Sequence, residues 1–318
     1  MVGLPLGLTN PVIVDGEVAA KVMLDLTVYL LGPTEEEFDY LLDVFESVCP
    51  PARRTKYKTG ELGFWADVAR PALTDSGRSA AAAGRKRPYF EPVRRRIRDG
   101  RGFEAKYWDG RPIGDPNGSW SFSCRCMHLR SSGLYAFARI IFPLNADLDI
   151  VREMAGKIAE NVRLYSGHGG LSFVYHPWLK LRVFNAIYAL ARRYWGVDVE
   201  DLNDTLFLMK AGIKGVNWIT LVPRVLSPSV AEAINRLRKF GGIQIDIRRN
   251  AIVLVAGPQP VAGDQHRPDR ALDPYYAEAD ALKPLYITAH PDFPGRQFIN
   301  NGNTIGWIRR FVEPSGWR

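Results

Sequence analysis

The stretch "AGIKGVNWITLV", Ala211 to Val222, decides how the chain is read. Its second half is apolar and β-branched like a strand, yet its first half carries Lys214, Gly215 and Asn217. Along an extended chain side chains alternate between faces. Val216, Trp218 and Thr220 then share one side, and Asn217, Ile219 and Leu221 the other. Trp218 reads as a core anchor. Gly215 marks a bulge or a close backbone approach. Asn217 reads as a buried amide that ties down a neighbouring loop, because buried polar groups need partners.

Outward from this strand the pattern alternates. "VMLDLTVYLL" (22–31) predicts a strand, and "GPTEEEFDYLLDVFESV" a helix capped by Thr34 with Glu37 three residues on. "SWSFSCRC" alternates as a half-buried antiparallel strand, and "ADLDIVREMAGKIAENVRLY" is an amphipathic helix. Later come a strand at "GGLSFVYH", a helix at "WLKLRVFNAIYALARRYW", the strand "IKGVNWITLV", a helix from Ser227 to the Gly241-Gly242 stop, a hairpin turning near Asn250 and a last helix begun by Asp273 and Pro274. Mixed strands and helices with antiparallel neighbours give an α+β class. Two similar packed halves are expected, 1–146 and 147–318, with an irregular basic insert near 50–102.

The chain has 318 residues, 46% hydrophobic and 24% charged, an ordinary globular balance. Three cysteines, Cys49, Cys124 and Cys126, fit a reducing cytoplasm better than a disulfide scaffold. The first residues lack a signal-peptide pattern, and no apolar run reaches membrane-spanning length. The net charge is +8, much of it from "GRKRPYFEPVRRRIRDGR" (84–101). That segment is read as a solvated helix or loop, with a nucleic-acid-binding module using 85–101 as the alternative.

No known catalytic or nucleotide-binding motif occurs. No pair of the five histidines has helical zinc spacing. His168, with Gly169 and Gly170, sits in "SGHGGLSF", read as a glycine-rich turn whose histidine is hydrogen-bonded or, less simply, a general base. No metal, cofactor or catalytic set is expected. Asp198, Glu200, Asp201 and Asp204 fall within "WGVDVEDLND", read as a loop that is either solvated or docks into a basic groove on a partner. Glu35 and Glu36 form a second acidic turn of the same kind.

Four segments carry a family likeness: Gly167 to Phe173, Trp195 to Val199, Lys214 to Thr220, and Gly257 to Asp264, the last including Gly263 and Asp264. Together they resemble the TsiV-type immunity proteins of type VI secretion, best over 146–285. After "WITL" the chain departs from the pattern, and the Arg-rich segment and the tail after 286 are not hallmarks. The resemblance implies a non-enzymatic cytoplasmic protein. It would neutralise a cognate type VI effector toxin, a nuclease with a restriction-endonuclease-like domain, by tight stoichiometric binding, without membrane or direct nucleic-acid contact.

Overall fold

The computed structural model describes residues 3–59, 65–67, 87–111, 120–129, 133–176, 179–267, 270–300 and 303–317. Its strands are β1 (Val12–Val14), β2 (Glu17–Leu30), β3 (Lys56–Thr59), β4 (Trp65–Asp67), β5 (Phe103–Trp108), β6 (Ser121–Leu129), β7 (Gly133–Phe142), β8 (Leu164–Tyr175), β9 (Val197–Asp198), β10 (Ile219–Pro223), β11 (Ile243–Ile247) and β12 (Ala251–Ala256). They form one sheet in the order β11-β12-β10-β8-β2-β7-β6-β5-β3-β4, with β1 on β2 and β9 on β8. Only the β8–β9 pair is parallel among the described strands. The helices are α1 (Leu6–Thr9), α2 (Glu35–Val48), α3 (Glu91–Arg98), α4 (Leu148–Asn161), α5 (Lys180–Arg193), α6 (Leu202–Leu206), α7 (Ser227–Phe240), α8 (Asp273–Leu282), α9 (Arg296–Ile299) and α10 (Asn303–Ile308). The architecture is α+β. The boundary expected at 146/147 falls just before α4, and the sheet runs through it: β2 pairs with β7 on one side and β8 on the other.

The two faces of the sheet differ in chemistry. On one, Leu24, Leu26 and Val28 of β2 lie beside Ala136, Ala138 and Ile140 of β7, and Phe122 and Cys124 of β6 extend the row. Helix α2 covers this face with Phe38, Leu41, Leu42 and Phe45. The Phe38 ring meets Phe90, Phe103 and Phe122 edge-on at centroid distances of 5.7, 5.8 and 6.4 Å, a favoured aromatic geometry. The capping box forms: Thr34 Oγ1 accepts from the Glu37 amide at 3.2 Å, and Glu37 accepts from the Thr34 amide at 2.9 Å.

The irregular insert expected near 50–102 carries more structure than its composition suggested. β3, β4 and α3 lie in it, while Arg85 and Lys86 fall outside the described residues. The arginines of this segment are not a solvated patch. Arg87 pairs with Asp43 and Glu46, Arg94 with Asp39, and Arg98 with Glu35 and Glu91. Helix α3 is thus buttoned onto the acidic side of α2, and Arg95, Arg98 and Arg101 remain exposed. A Gly/Ala/Arg-rich composition hides this because the partner carboxylates sit some fifty residues away in sequence, on α2.

Two local expectations are corrected. The glycines of "SGHGG" are not a turn: β8 passes straight through them in the middle of the sheet. Gly167 and Gly169 lie on the helix-covered face, opposite Val28 and Leu26, whose side chains fill the space. A Cβ on Gly167 would sit 2.8 Å from the Thr27 carbonyl oxygen. The strand expected over 213–222 begins only at Ile219. Residues before it form an extended arm, with Ile213 bonded to Leu285 and Ile287 on the C-terminal segment.

Gly167→Ala should force β8 away from β2 and lower stability by about 1–3 kcal/mol. Urea unfolding of the purified variant measures this, and an unchanged midpoint would contradict the packing described.

Candidate functional site

Opposed residues of an antiparallel pair lie on one face. A single row of such residues crosses the opposite, polar face: Lys58 (β3), Lys106 (β5), Ser123 (β6), Arg139 (β7), Thr27 (β2), His168 (β8) and Thr220 (β10). The "GHGG" spacing follows from this. Glycines at alternate positions serve the packed face, and His168 alone points to the polar one.

A buried ion cluster forms where the row meets β8. The Lys214 ammonium lies 2.7 Å from Asp198 Oδ2 and 3.2 Å from the Val199 carbonyl oxygen, and it contacts Glu200 Oε2 directly. His168 Nε2 lies 3.2 Å from Asp198 Oδ2 and 3.3 Å from Glu200 Oε2. All four side chains are buried. Burial opposes ionisation of Asp198, but Lys214 and His168 outweigh it and hold this carboxyl below its ordinary range. Above the cluster the Trp307 ring of α10 sits 5.3 Å from the Lys214 ammonium, and the Arg310 guanidinium lies 3.9 Å from the same ring. Beside it, Arg139 pairs with Asp25 at 2.8 Å and donates to Ser172 Oγ at 3.0 Å.

His168, Asp198 and Glu200 bring ligand atoms within 4.8 Å of one another, a spacing that would suit a metal ion. The donor set does not fit one here. The Lys214 ammonium already bridges the two carboxylates, so the positive charge such a site needs is supplied by the chain itself.

Beside the cluster, on the polar side of β5, β6 and β7, a groove of about 280 Å³ opens. Its floor and walls include Lys21, Lys106, Trp108, Arg125, Arg139 and Lys180, and the start of α6, Asp201 to Asn203, closes one side. Arg125 donates to Asn203 Oδ1 at 2.9 Å, and Lys180 pairs with Asp201.

Residues 119–311 match the sequence family described as TsiV, type VI immunity for VRR-NUC. The chain belongs to the TsiV family. Its fold is shared with a Pseudomonas aeruginosa T6SS protein, PA0821, at TM-score 0.71 and 16% identity, covering 94% of this chain and 88% of that one. No curated protein matches the chain in sequence. Every member of the ion cluster, including Trp307 and Arg310, falls within the span matched to TsiV. No described helix is long and apolar enough to cross a membrane.

The acidic loop expected on the surface is folded inward. Asp198, Glu200 and Asp201 are each 1% exposed, and only Asp204 of the four keeps partial exposure. The physical reason is Lys214, which supplies a counter-charge from an arm remote in sequence. Of the other acidic turn, Glu36 is exposed, while Glu35 is committed to Arg98. Asn217 is buried, but its Oδ1 has no hydrogen-bond partner and instead abuts Gly170, whose φ of +153° favours glycine. The Asn217 amide nitrogen bonds Thr220 Oγ1 at 3.2 Å. Gly215 approaches the Ile308 carbonyl oxygen. Trp218 is fully buried, and its indole donates to the Gly257 carbonyl at 3.2 Å. Gly263 adopts φ +67° against Leu272, and Asp264 takes a two-pronged pair from Arg193 at 2.9 and 2.7 Å. Sequence reading missed Asp25, Arg139 and the groove. The available signal was the alternation in "KVMLDLTVY" and "FEAKYW", where Lys21, Asp25 and Thr27, and Glu104 and Lys106, interrupt apolar residues at every second position.

Lys214→Met leaves two buried carboxylates without their cation and should cost about 3–5 kcal/mol, while adding Asp198→Asn and Glu200→Gln should return much of it. Thermal and urea unfolding of the two proteins, compared directly, checks this. A second prediction concerns Glu278 of α8, fully buried and pushed up to about 8 by burial, with Thr220 opposing. It stays protonated in the folded chain while the unfolded chain loses that proton near 4.5. Stability should therefore fall with rising pH between those values, by up to about 1.4 kcal/mol per unit from this group. Glu278→Gln should flatten that slope and raise stability at pH 7.5.

Proposed function

We propose that this TsiV-family chain is a stoichiometric immunity protein that binds a cognate VRR-NUC-type nuclease effector in the cytoplasm, covers its active cleft and turns nothing over. One observation supports the reading without turnover: among the described residues the cluster of His168, Asp198 and Glu200 is buried and bridged by Lys214. Affinity from a covering interface of about 1,600 Å² in total is enough for tight inhibition. The rival use of residues 85–101 as a nucleic-acid module is disfavoured, since Arg87, Arg94 and Arg98 are already paired with α2 and its neighbours.

Co-expression with the nuclease effector of the adjacent reading frame should restore growth of poisoned cells, and the purified pair should elute as a 1:1 complex. An effector that stays toxic and separates from this chain on size exclusion would end the reading.

A further inference from the structure

The groove over β5, β6 and β7 is a polar opening lined mainly by basic side chains. Its balance of charge is uneven. Lys21, Lys106, Arg111, Arg125, Arg139 and Lys180 line it, against Glu104 and Asp201. Both acids are already engaged: Glu104 with Lys58 at 2.9 Å, and Asp201 with Lys180. Arg139 is held by Asp25.

Lys106 is different. It forms no ion pair among the described residues, and its ammonium sits 5.3 Å from the Trp108 ring centroid. Burial draws its ammonium below the ordinary lysine range, with Glu104 opposing. A partly desolvated cation without a carboxylate costs free energy in the isolated chain. The arrival of a carboxylate removes that cost and adds a charge-assisted hydrogen bond. Trp108, half-buried beside it, offers the kind of aromatic platform on which interface anchors pack.

We propose that this groove is where the effector docks, and that it receives an acidic segment of the effector: an Asp or Glu facing Lys106, with an apolar neighbour on Trp108. This rests on the immunity reading above and specifies its interface. A nuclease that holds catalytic cations with carboxylates at its cleft would present this chemistry. A protein segment is favoured over nucleic acid because an opening of about 280 Å³ admits one or two inserted side chains, whereas a phosphate backbone is bound along an extended run of exposed cations.

The test measures binding of the catalytically inactivated adjacent-frame nuclease by biolayer interferometry to wild type, Lys106→Met, Lys106→Glu and Arg125→Glu. An Arg236→Glu/Lys239→Glu pair on the exposed side of α7 serves as control, and melting curves confirm folding. Lys106→Met should weaken binding by roughly 30-fold or more, the charge reversals further, and the α7 control by less than about 3-fold. Lys106→Met removes the charge with little change in bulk, so it decides the matter should a reversal misfold. Wild-type affinity in folded groove variants overturns the groove while leaving the immunity function standing. Failure of wild type to bind the effector overturns both. Lys106-dependent binding of a 20-bp DNA duplex at 150 mM salt would reassign the groove to nucleic acid and overturn the proposal.

Discussion

Lys214 is an ammonium placed inside the protein, more than ten residues from either carboxylate that neutralises it. Removing such a charge from water is costly, and the attraction it recovers only roughly balances that cost. Its importance is therefore geometric. To bring Lys214 to Asp198 and Glu200, the arm before β10 has to leave strand geometry, and the acidic loop after β9 has to fold under instead of out. His168 then has one permitted face, and the glycines on either side of it follow. Trp307 and Arg310 close the assembly from the C-terminal segment. One buried cation thus aligns four separate stretches of the chain.

The same cluster accounts for where the sheet is left bare. Helices α2, α3 and α4 take the apolar face, and the C-terminal segments cover the polar face over β8 and β10. On that side the α6 segment reaches β7, where Phe207 meets Tyr135, and the groove opens beside it. The wall of the resulting groove is Asp201 to Asn203, the continuation of the loop pinned by Lys214. Rigid scaffolds that support exposed recognition surfaces commonly divide labour in this way. Here the rigid part is ionic and the recognition part is a row of a pleated sheet.

Much of the fold was legible in the sequence. Helix α2 announced itself through Thr34, Glu37 and a clean apolar stripe, and α7 through its Gly241 stop, because caps and periodicity are local signals. Family membership was legible through four short segments. The site was harder. Gly-rich sequence signals a turn when read alone, and only the positions of Leu26, Val28 and Leu221 reveal a strand whose neighbours need the room. Acidic residues signal surface unless a buried cation is known to face them, and the pairing of Lys214 with Asp198 belongs to tertiary structure. The arginines of α3 misled for the same reason, since their partners are on α2.

The order in which the strands were laid down has its own consequence. The centre of the sheet joins β2 near the N-terminus to β8, with Leu24 opposite Leu171. A ribosome adds roughly 5–20 residues each second, so β2, complete at Leu30, waits on the order of ten seconds before β8, which ends at Tyr175, exists. Non-local pairing of this kind slows folding and exposes nascent chains to misassociation. For a member of a type VI immunity family, this order of synthesis favours a standing reserve of finished molecules over synthesis begun on demand.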